Sequence, residues 1–249
     1  MTDILPIHEF YACIQGEGKL QGVPSFLVRF SGCRLRCQFK ESFCDSSFSS
    51  WKPEKGKYTI KDLEREINLQ PQIRHVIISG GGPTLHGDTL VQVCSFFKKK
   101  GFHVTMETEG SEFVATEADL ISLSPKLISS KPKLGSINPY TEQVVTQKII
   151  DQHEKWRCNY DAMKKLIKSH DDFYLKFVVT GNNDIQEIVY IAKQLDLMNA
   201  FDKIYLMPEG VDPDKIQDKM SEIFDLCIEF GFRYSDRLHI RAFGDKRFV

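Results

Sequence analysis

The 249-residue chain carries 33 Lys and Arg residues against 34 Asp and Glu, a formal net charge of −1 at pH 7. This balance offers neither the basic field that nucleic-acid binding needs nor the clustered cations of membrane-surface attachment. With 41% hydrophobic residues, the chain has the composition of a globular protein that buries a sizeable core. We therefore expect a small-molecule partner, with no nucleic acid and no membrane.

The cysteine content indicates a reducing compartment. Seven cysteines, an odd number spread from Cys13 to Cys227, do not resemble a disulfide framework. The N-terminus lacks the basic-then-apolar pattern of a signal peptide, and no apolar run approaches the roughly 18 residues of a membrane span. A cytoplasmic location is the expectation.

Strand and helix patterns alternate along the chain. A weak alternation over residues 4–11 precedes a strong strand pattern over 23–30, and later strands are predicted at 75–78, 104–108, 120–123, 174–179 and 203–208. Apolar residues at helical spacing predict four helices. Thr59 and Asn183 are the expected N-caps of two of them, a third begins near Gly87, and the fourth carries an apolar stripe that starts at Ile216. This alternation predicts an α/β fold of parallel strands with right-handed crossovers, either an open doubly wound sheet or a partial barrel.

Three cysteines, Cys33, Cys37 and Cys44, fall within twelve positions in the cysteine segment, residues 31–51. A structural zinc site needs a fourth Cys or His, which this segment lacks, whereas three thiolates hold a four-iron cluster and leave its fourth iron open. A zinc-binding interaction module with a distant His8 or His75 as fourth ligand is the alternative.

Glycine or polar residues follow several predicted strands. Strand 75–78 runs into Ser79-Gly80-Gly81-Gly82-Pro83, which exposes backbone N–H groups to a ligand. Glu107 lies near the end of the next strand, and Ser124-Pro125-Lys126 follows the one after. Because parallel α/β folds bind ligands at the carboxyl ends of their strands, these segments and the cysteine segment are expected to face one mouth.

The QGEG loop, residues 15–18, precedes the strand 23–30. Its two glycines are typical of a hairpin turn, which is one interpretation. The loop also brings an amide and a carboxylate close to Arg29, which interrupts the apolar strand. These groups suit a polar heterocycle that carries a carboxylate, which is the second interpretation.

In order and spacing, these motifs resemble the radical S-adenosylmethionine enzymes and, within them, the 7-carboxy-7-deazaguanine synthases. The matching stretches are IQGEG (14–18), RFSGCRLRC (29–37), CDSSF (44–48), SGGGP (79–83), ETEG (107–110), SPK (124–126) and SSK (129–131). The resemblance implies a partial (β/α)6 parallel barrel of the radical SAM type. It also implies one domain over residues 1–249, with an N-terminal substrate and cluster segment and a loop insertion at about 127–159.

The resemblance implies that Cys33, Cys37 and Cys44 hold a [4Fe-4S] cluster whose fourth iron chelates the amino and carboxylate groups of S-adenosylmethionine. The resulting 5′-deoxyadenosyl radical converts 6-carboxy-5,6,7,8-tetrahydropterin to 7-carboxy-7-deazaguanine with loss of ammonia, a lyase reaction of queuosine and 7-deazapurine biosynthesis. A glycyl-radical activating enzyme of the same superfamily is the nearest alternative. A flavodoxin-like or other reductant and a homodimer are further expectations.

The resemblance also assigns individual residues to ligands. S-adenosylmethionine is expected at Phe43, Gly80, Gly81, Glu107, Ser124, Pro125 and Lys126. The pterin is expected at Ile14, Gln15, Gly16, Glu17, Arg29, Ser79 and the C-terminal carboxylate of Val249. Mg²⁺ is expected at Ser46 with Asp45 beside it, since hard oxygen ligands suit this ion, and an Asx or Ser turn is the alternative for that pair.

Two features depart from the family pattern. The superfamily spacing C-x3-C-x2-C is C-x3-C-x6-C here, with four more residues between Cys37 and Cys44. Phe43 is the side chain expected over the adenine. Gly82 stands where Glu or Asn usually precedes the proline. No side chain at that position can contact the amino group of the methionine moiety, so the backbone is expected to make this contact instead.

Three expectations concern the remaining chain. Cys94 and Cys227 lie on apolar helical stripes and are expected in the core. Residues 127–159 have poor periodicity and are expected to form a long loop with one short helix around 144–150. The polar C-terminal segment, residues 233–249, is expected to fray in solvent.

Overall fold

The computed structural model describes residues 3–40 and 42–249. Eight strands form one sheet in the order in which they occur along the chain: β1 (Ile7–Ile14), β2 (Pro24–Phe30), β3 (His75–Gly80), β4 (His103–Thr108), β5 (Leu120–Leu123), β6 (Phe173–Val179), β7 (Ile204–Pro208) and β8 (Arg233–Tyr234). β1 is antiparallel to β2, and every later neighbouring pair is parallel. Because the strand order never reverses, the sheet winds in one direction as a partial barrel, which excludes the doubly wound alternative. The six parallel strands β2–β7 confirm the predicted partial barrel, with a loop in place of a helix between β4 and β5, and β8 extends it.

Helices connect these strands: α1 (Ser47–Ser50), α2 (Ile60–Leu69), α3 (Gly87–Lys99), α4 (Gln147–Arg157), α5 (Tyr160–Lys168), α6 (Ile185–Gln194), α7 (Pro213–Phe230) and α8 (Leu238–Phe243). The predicted Thr59 cap is confirmed, since its side chain accepts from the backbone N–H of Asp62 in a capping box. The predicted Asn183 cap is wrong: Asn183 lies in a 3₁₀ turn, because the Asp184 carboxylate binds the backbone and hydroxyl of Thr180 and adds a turn before α6. Within the described ranges, no helix has both the length and the apolar composition of a membrane span.

The two faces of the sheet have different partners. On β3, Val76 and Ile78 are fully buried in the main core together with Leu90 and Phe97 of α3, as are Cys94 and Cys227, as predicted. The alternate residues Ile77 and Ser79 line an interior cavity. Strand side chains alternate between faces, so the helix-covered face supplies the hydrophobic core and the concave face is free for a site.

Residues 127–159 are more ordered than the sequence predicts. The single short helix expected around 144–150 is replaced by the longer α4, whose Trp156 packs against the cysteine segment with the Arg34 guanidinium 4.6 Å from its ring centre. The backbone N–H of Gln38 also donates to the carbonyl of Ser130 at 2.9 Å. These contacts lie far apart in sequence, and they hold the cysteine segment in place.

The prediction that the C-terminal segment frays is wrong. β8 pairs with β7, and Arg237, which follows it, is only 5% exposed. The backbone N–H of Leu238 donates to the carbonyl of Gly16 at 3.0 Å, and that of Gly18 donates to Ser235 Oγ at 2.8 Å. β1 and β8 are the two edges of the sheet, so these bonds bridge its open side.

Gly80, at the end of β3, lies too close to β2 to carry a side chain. Gly80 has φ +141°, and a Cβ there would lie 2.2 Å from the carbonyl oxygen of Phe30. Gly22 also has a positive φ, +93°, but a Cβ there would meet nothing within 4 Å. We expect Gly22→Ala to lower the free energy of unfolding by about 1–2 kcal/mol through backbone strain alone, and Gly80→Ala to lower it by about 1–3 kcal/mol more because of the clash.

Chemical denaturation of the two variants beside the parent protein measures this difference. Equal losses at both positions would show that the close approach of β2 and β3 at Gly80 is not a packing constraint.

Candidate functional site

A cavity of about 290 Å³ lies on the concave face, where the carboxyl ends of the parallel strands converge. Its wall contains all but one of the residues that the sequence analysis assigns to ligands: Ile14, Gln15, Gly16, Glu17, Arg29, Cys33, Cys37, Phe43, Cys44, Asp45, Ser46, Ser79, Gly80, Gly81, Glu107, Ser124, Lys126 and Val249. The exception, Pro125, is buried between two lining residues. The strand ends therefore meet as predicted, and the QGEG loop both closes the β1–β2 hairpin and lines the cavity.

The cysteine segment places three free thiols in this wall. Cys33, Cys37 and Cys44 pack in one cluster with Leu35 and Phe39. Burial raises the pKa of the Cys37 thiol to about 12 and raises those of Cys33 and Cys44 as well. Burial therefore keeps these thiols protonated when no cationic centre compensates their charge, and binding a metal centre as thiolates would release their protons.

The geometry argues against zinc held by a distant histidine. His8 Nε2 lies 2.8 Å from Ser49 Oγ, and His75 hydrogen-bonds to side chains at the opposite end of β3 from Gly80. Within the described ranges, no three Cys, His, Asp or Glu side chains converge closely enough to bind a single metal ion. Free thiols grouped in one buried wall are the donor set of a four-iron cluster, so the residues present fit that group.

Backbone forms the cavity wall beyond β3. A Cβ at Gly81 would lie 2.2 Å from the carbonyl oxygen of Gly32, so the main chain here packs directly on the cysteine segment. Next to it, Glu109 follows β4 and is 5% exposed. Its Oε1 accepts from Ser111 Oγ at 2.5 Å, and burial raises the pKa of this carboxyl group. The wall near the cysteines thus combines exposed main chain with one buried carboxyl group.

Four paired charges form the Glu17 network: the buried Lys176 and Arg237, the partly buried Glu17 and the more exposed Asp45. Lys176 in β6 donates to Glu17 Oε2, and Arg237 donates to Glu17 Oε1 at 3.2 Å and to Asp45 Oδ2. Burial alone would raise the pKa values of both carboxyl groups, but Lys176 and Arg237 hold that of Glu17, and Arg237 that of Asp45, below their usual ranges. All four groups therefore stay charged at neutral pH.

Arg29 belongs to a second charged group. Its Nε donates to Glu9, which also accepts from Arg247 Nε at 2.7 Å, and its Nη1 donates to Ser46 Oγ at 3.3 Å. The Arg247 guanidinium lies 3.7 Å from the ring centre of Phe48. Arg247 also donates to Glu54 through both terminal nitrogens, so two carboxylates balance the two guanidinium groups, and Arg29 offers an anion hydrogen-bond donors at the cavity wall.

Glu107 links the residues expected to bind the two organic ligands. Its Oε1 accepts from Gln15 Nε2 at 3.2 Å, and its Oε2 accepts from Ser79 Oγ at 3.0 Å. Glu107 is expected at the cofactor, and Gln15 and Ser79 at the pterin. The two sets of residues are therefore in direct contact.

Asp45 and Ser46 provide hard oxygen donors beside Cys44. Ser46 Oγ donates to Asp45 Oδ1 at 3.2 Å. Ser46 precedes α1 without a side-chain capping bond, whereas Ser47 Oγ donates to the carbonyl of Cys44 at 2.7 Å. The turn-forming hydroxyl is thus Ser47, which weakens the alternative of a simple Ser turn at Ser46.

Sequence reasoning missed several lining residues, chiefly Glu109, Lys176 and Arg237. Lys176 had a usable signal, because it interrupts an apolar strand in the same way as Arg29. Arg237 had none, since it lies in a polar stretch that resembles any exposed terminus. Glu109 was hidden within the ETEG motif beside Glu107.

Comparison with known proteins places the chain in a family. No family model matches it. The 7-carboxy-7-deazaguanine synthase of Rhodopirellula baltica is 35% identical over 243 residues, which cover 98% of this chain and 88% of that protein. The synthase of Halobacterium salinarum is 35% identical over 245 residues, covering 97% and 91%. The crystal structure of QueE from Escherichia coli has a TM-score of 0.63 at 22% identity and covers 95% of both chains, which shows a shared fold. The chain belongs to the 7-carboxy-7-deazaguanine synthase family.

Proposed function

We propose that the protein converts 6-carboxy-5,6,7,8-tetrahydropterin to 7-carboxy-7-deazaguanine, as a carbon–nitrogen lyase of queuosine and other 7-deazapurine pathways. The observation that carries this proposal is that three free thiols and a set of charged groups suited to a carboxylated heterocycle line one cavity. The near-full-length similarity to proteins named for this reaction supports it. A cavity of about 290 Å³ with charged walls favours a small polar substrate over the protein substrate of a glycyl-radical activating enzyme.

In this proposal, Cys33, Cys37 and Cys44 bind a [4Fe-4S] cluster. Cluster and S-adenosylmethionine together supply the 5′-deoxyadenosyl radical when both are bound. The side chain of Trp156 in α4 packs beside the cysteines and limits the access of water to them. The protein thereby provides a dry wall on one side of the cavity and charged groups on the other.

The remaining cofactor residues surround the glycines of β3. Gly80 and Gly81 present main chain to the methionine end, while Glu107, Ser124 and Lys126 contact the adenosine end. Pro125, which is buried outside the cavity wall, positions the two residues beside it. Lys126 Nζ donates to Ser124 O at 2.7 Å and to Ser124 Oγ at 2.8 Å, which holds this turn in shape. Phe43 lies edge-to-face on Trp51, with ring centres 5.3 Å apart, and covers the adenine.

The pterin lies on the side of the QGEG loop. Arg29 binds the substrate carboxylate, because its free guanidinium donors face the cavity and form paired charge-assisted bonds. Gln15, Glu17 and Ser79 bind the heterocycle through donors and acceptors, and Ile14, Gly16 and the carboxylate of Val249 complete the wall. A Cβ at Gly16 would lie 2.1 Å from His239 Nδ1, so the loop is held closely against the C-terminal segment.

Mg²⁺ would bind at Ser46, with Asp45 as its neighbour. Because Arg237 already pairs with Asp45, the Ser46 hydroxyl, water and substrate oxygens are the more available ligands. A flavodoxin-like or other reductant, a homodimer, a single domain and a cytoplasmic location complete the proposal.

The direct test is an anaerobic assay of the iron-reconstituted protein. Incubation with S-adenosylmethionine, a reductant, Mg²⁺ and the carboxylated tetrahydropterin is expected to yield 7-carboxy-7-deazaguanine, detected by mass. Isolated protein that contains zinc without iron and sulfide, and forms no product after reconstitution, would contradict the proposal.

Replacing one cysteine tests the cluster ligands. We expect Cys37→Ala to lose the iron and sulfide complement while lowering the free energy of unfolding by only about 1–2 kcal/mol, because the change removes one buried sulfur. Cys158→Ser is the matched control, since Cys158 is a free, partly buried cysteine outside the cavity wall and is expected to retain the cluster. A full iron and sulfide content in the Cys37 variant would rule out its role.

Arg29→Lys tests the substrate carboxylate. Lysine keeps a positive charge beside Glu9, so the fold is expected to persist, but it lacks the planar fork. We expect kcat/KM for the pterin to fall about ten- to hundredfold, the effect of a lost charge-assisted hydrogen bond. Formation of 5′-deoxyadenosine without pterin is expected to stay unchanged.

Arg233→Lys is the control for this substitution. Arg233 Nη1 contacts the hydroxyl of Tyr205 at 3.2 Å and lies outside the cavity wall. If Arg29→Lys left pterin turnover equal to that of this control, Arg29 would not bind the substrate.

A further inference from the structure

Gly82 is a glycine for a reason other than backbone conformation. Its φ of −150° is extended backbone that any residue adopts, unlike the positive φ of Gly80. A Cβ at position 82 would instead lie 2.6 Å from Glu109 Oε1 and 2.9 Å from Glu109 Oε2. The carboxylate of Glu109 therefore occupies the space that a side chain at position 82 would enter.

Glu109 has hydrogen-bonding capacity that the described chain does not use. Oε1 accepts from Ser111 Oγ, whereas Oε2 is buried without a partner within residues 3–40 and 42–249. The nearby ammonium group of Lys126 already donates to Ser124. A buried carboxylate oxygen without a donor is costly, so this position favours a ligand that brings an N–H or O–H donor into the cavity wall.

We propose that Glu109 accepts a hydrogen bond from the amino group of S-adenosylmethionine, and that it replaces the side chain missing at Gly82. This inference rests on the proposed function, in which the methionine end of the cofactor lies against Gly80 and Gly81. At that end of the ligand only the amino group carries N–H donors, which it keeps when its lone pair binds iron, whereas the sulfonium has none and the carboxylate would be repelled. The amino group then binds to a side chain as well as to the backbone, and this side chain is the carboxylate of Glu109 at the end of β4.

The test measures ligand binding to anaerobically reconstituted protein, with iron and sulfide content determined on each sample. Glu109→Gln keeps the size of the side chain and its contact with Ser111 but removes the charge. We expect its dissociation constant for S-adenosylmethionine to rise about ten- to hundredfold, the range of one charge-assisted hydrogen bond, at unchanged iron content. S-adenosylhomocysteine, which keeps the amino group without the sulfonium, should weaken by the same factor.

5′-Methylthioadenosine is the matched control ligand, because it lacks the methionine amino and carboxylate groups. Its affinity is expected to be the same for the parent protein and for Glu109→Gln, which also shows that the adenosine site is folded. Weakened binding of S-adenosylmethionine alone would place Glu109 at the sulfonium and overturn the proposal. Unchanged affinities for all three ligands would also overturn it.

Moving the carboxylate provides a second test. Glu109→Ala is expected to weaken S-adenosylmethionine binding, and the double variant Gly82→Glu with Glu109→Ala to recover at least about tenfold of that loss. Gly82→Glu alone should bind worse than the parent protein, because two carboxylates then compete for one space. A double variant no better than Glu109→Ala would contradict the shared position.

These results separate the inference from the function on which it rests. Parent protein that holds iron and sulfide but binds no S-adenosylmethionine would contradict the proposed function and this inference together. Parent protein that binds the cofactor, with a Glu109→Gln variant that binds it equally well, would contradict the inference alone.

Discussion

The Glu17 network is the constraint on which the architecture of the site depends. Its four charges, two of them buried, come from four separate parts of the chain: the QGEG loop, the cysteine segment, β6 and the C-terminal segment. Moving such charges out of water costs several kcal/mol per ion, and only their mutual pairing offsets that cost. Removing one partner leaves an uncompensated charge, so the four segments hold one another in position.

This pairing compensates for an open barrel. The edge strands β1 and β8 do not pair with each other, and the gap is bridged by the backbone bonds between the QGEG loop and residues 235–238. Glu17 reinforces the same contact through Arg237. The wall of the cavity is thus completed by a hairpin loop and a terminal segment, whose charged side chains line it.

Residues that share a local motif were the ones that sequence reasoning could find. Cys33, Cys37 and Cys44 are adjacent in sequence, and Glu107 and Ser124 follow strands whose parallel arrangement follows from the alternation of elements. Lys176 and Arg237 are different, because what distinguishes them is a partner 159 and 220 positions away in sequence. The fraying expected for the C-terminal segment failed for the same reason, since the long-range contacts of Arg237 outweighed local propensity. The Asn183 cap was misplaced for a local reason, because the Asp184 carboxylate binds Thr180 only four residues away.

The sequence by itself determined the alternating α/β fold, the grouping of three cysteines and the mouth formed by the ends of the strands, because periodicity and motif spacing are local properties. Only the tertiary structure decided which charges pair across the cavity, that the C-terminal segment closes the open side, and that Glu109 occupies the space beside Gly82. The physical reason is that side-chain pairing and steric exclusion depend on distances in space. Those distances are set by the curvature of the sheet and by the packing of segments that the sequence separates.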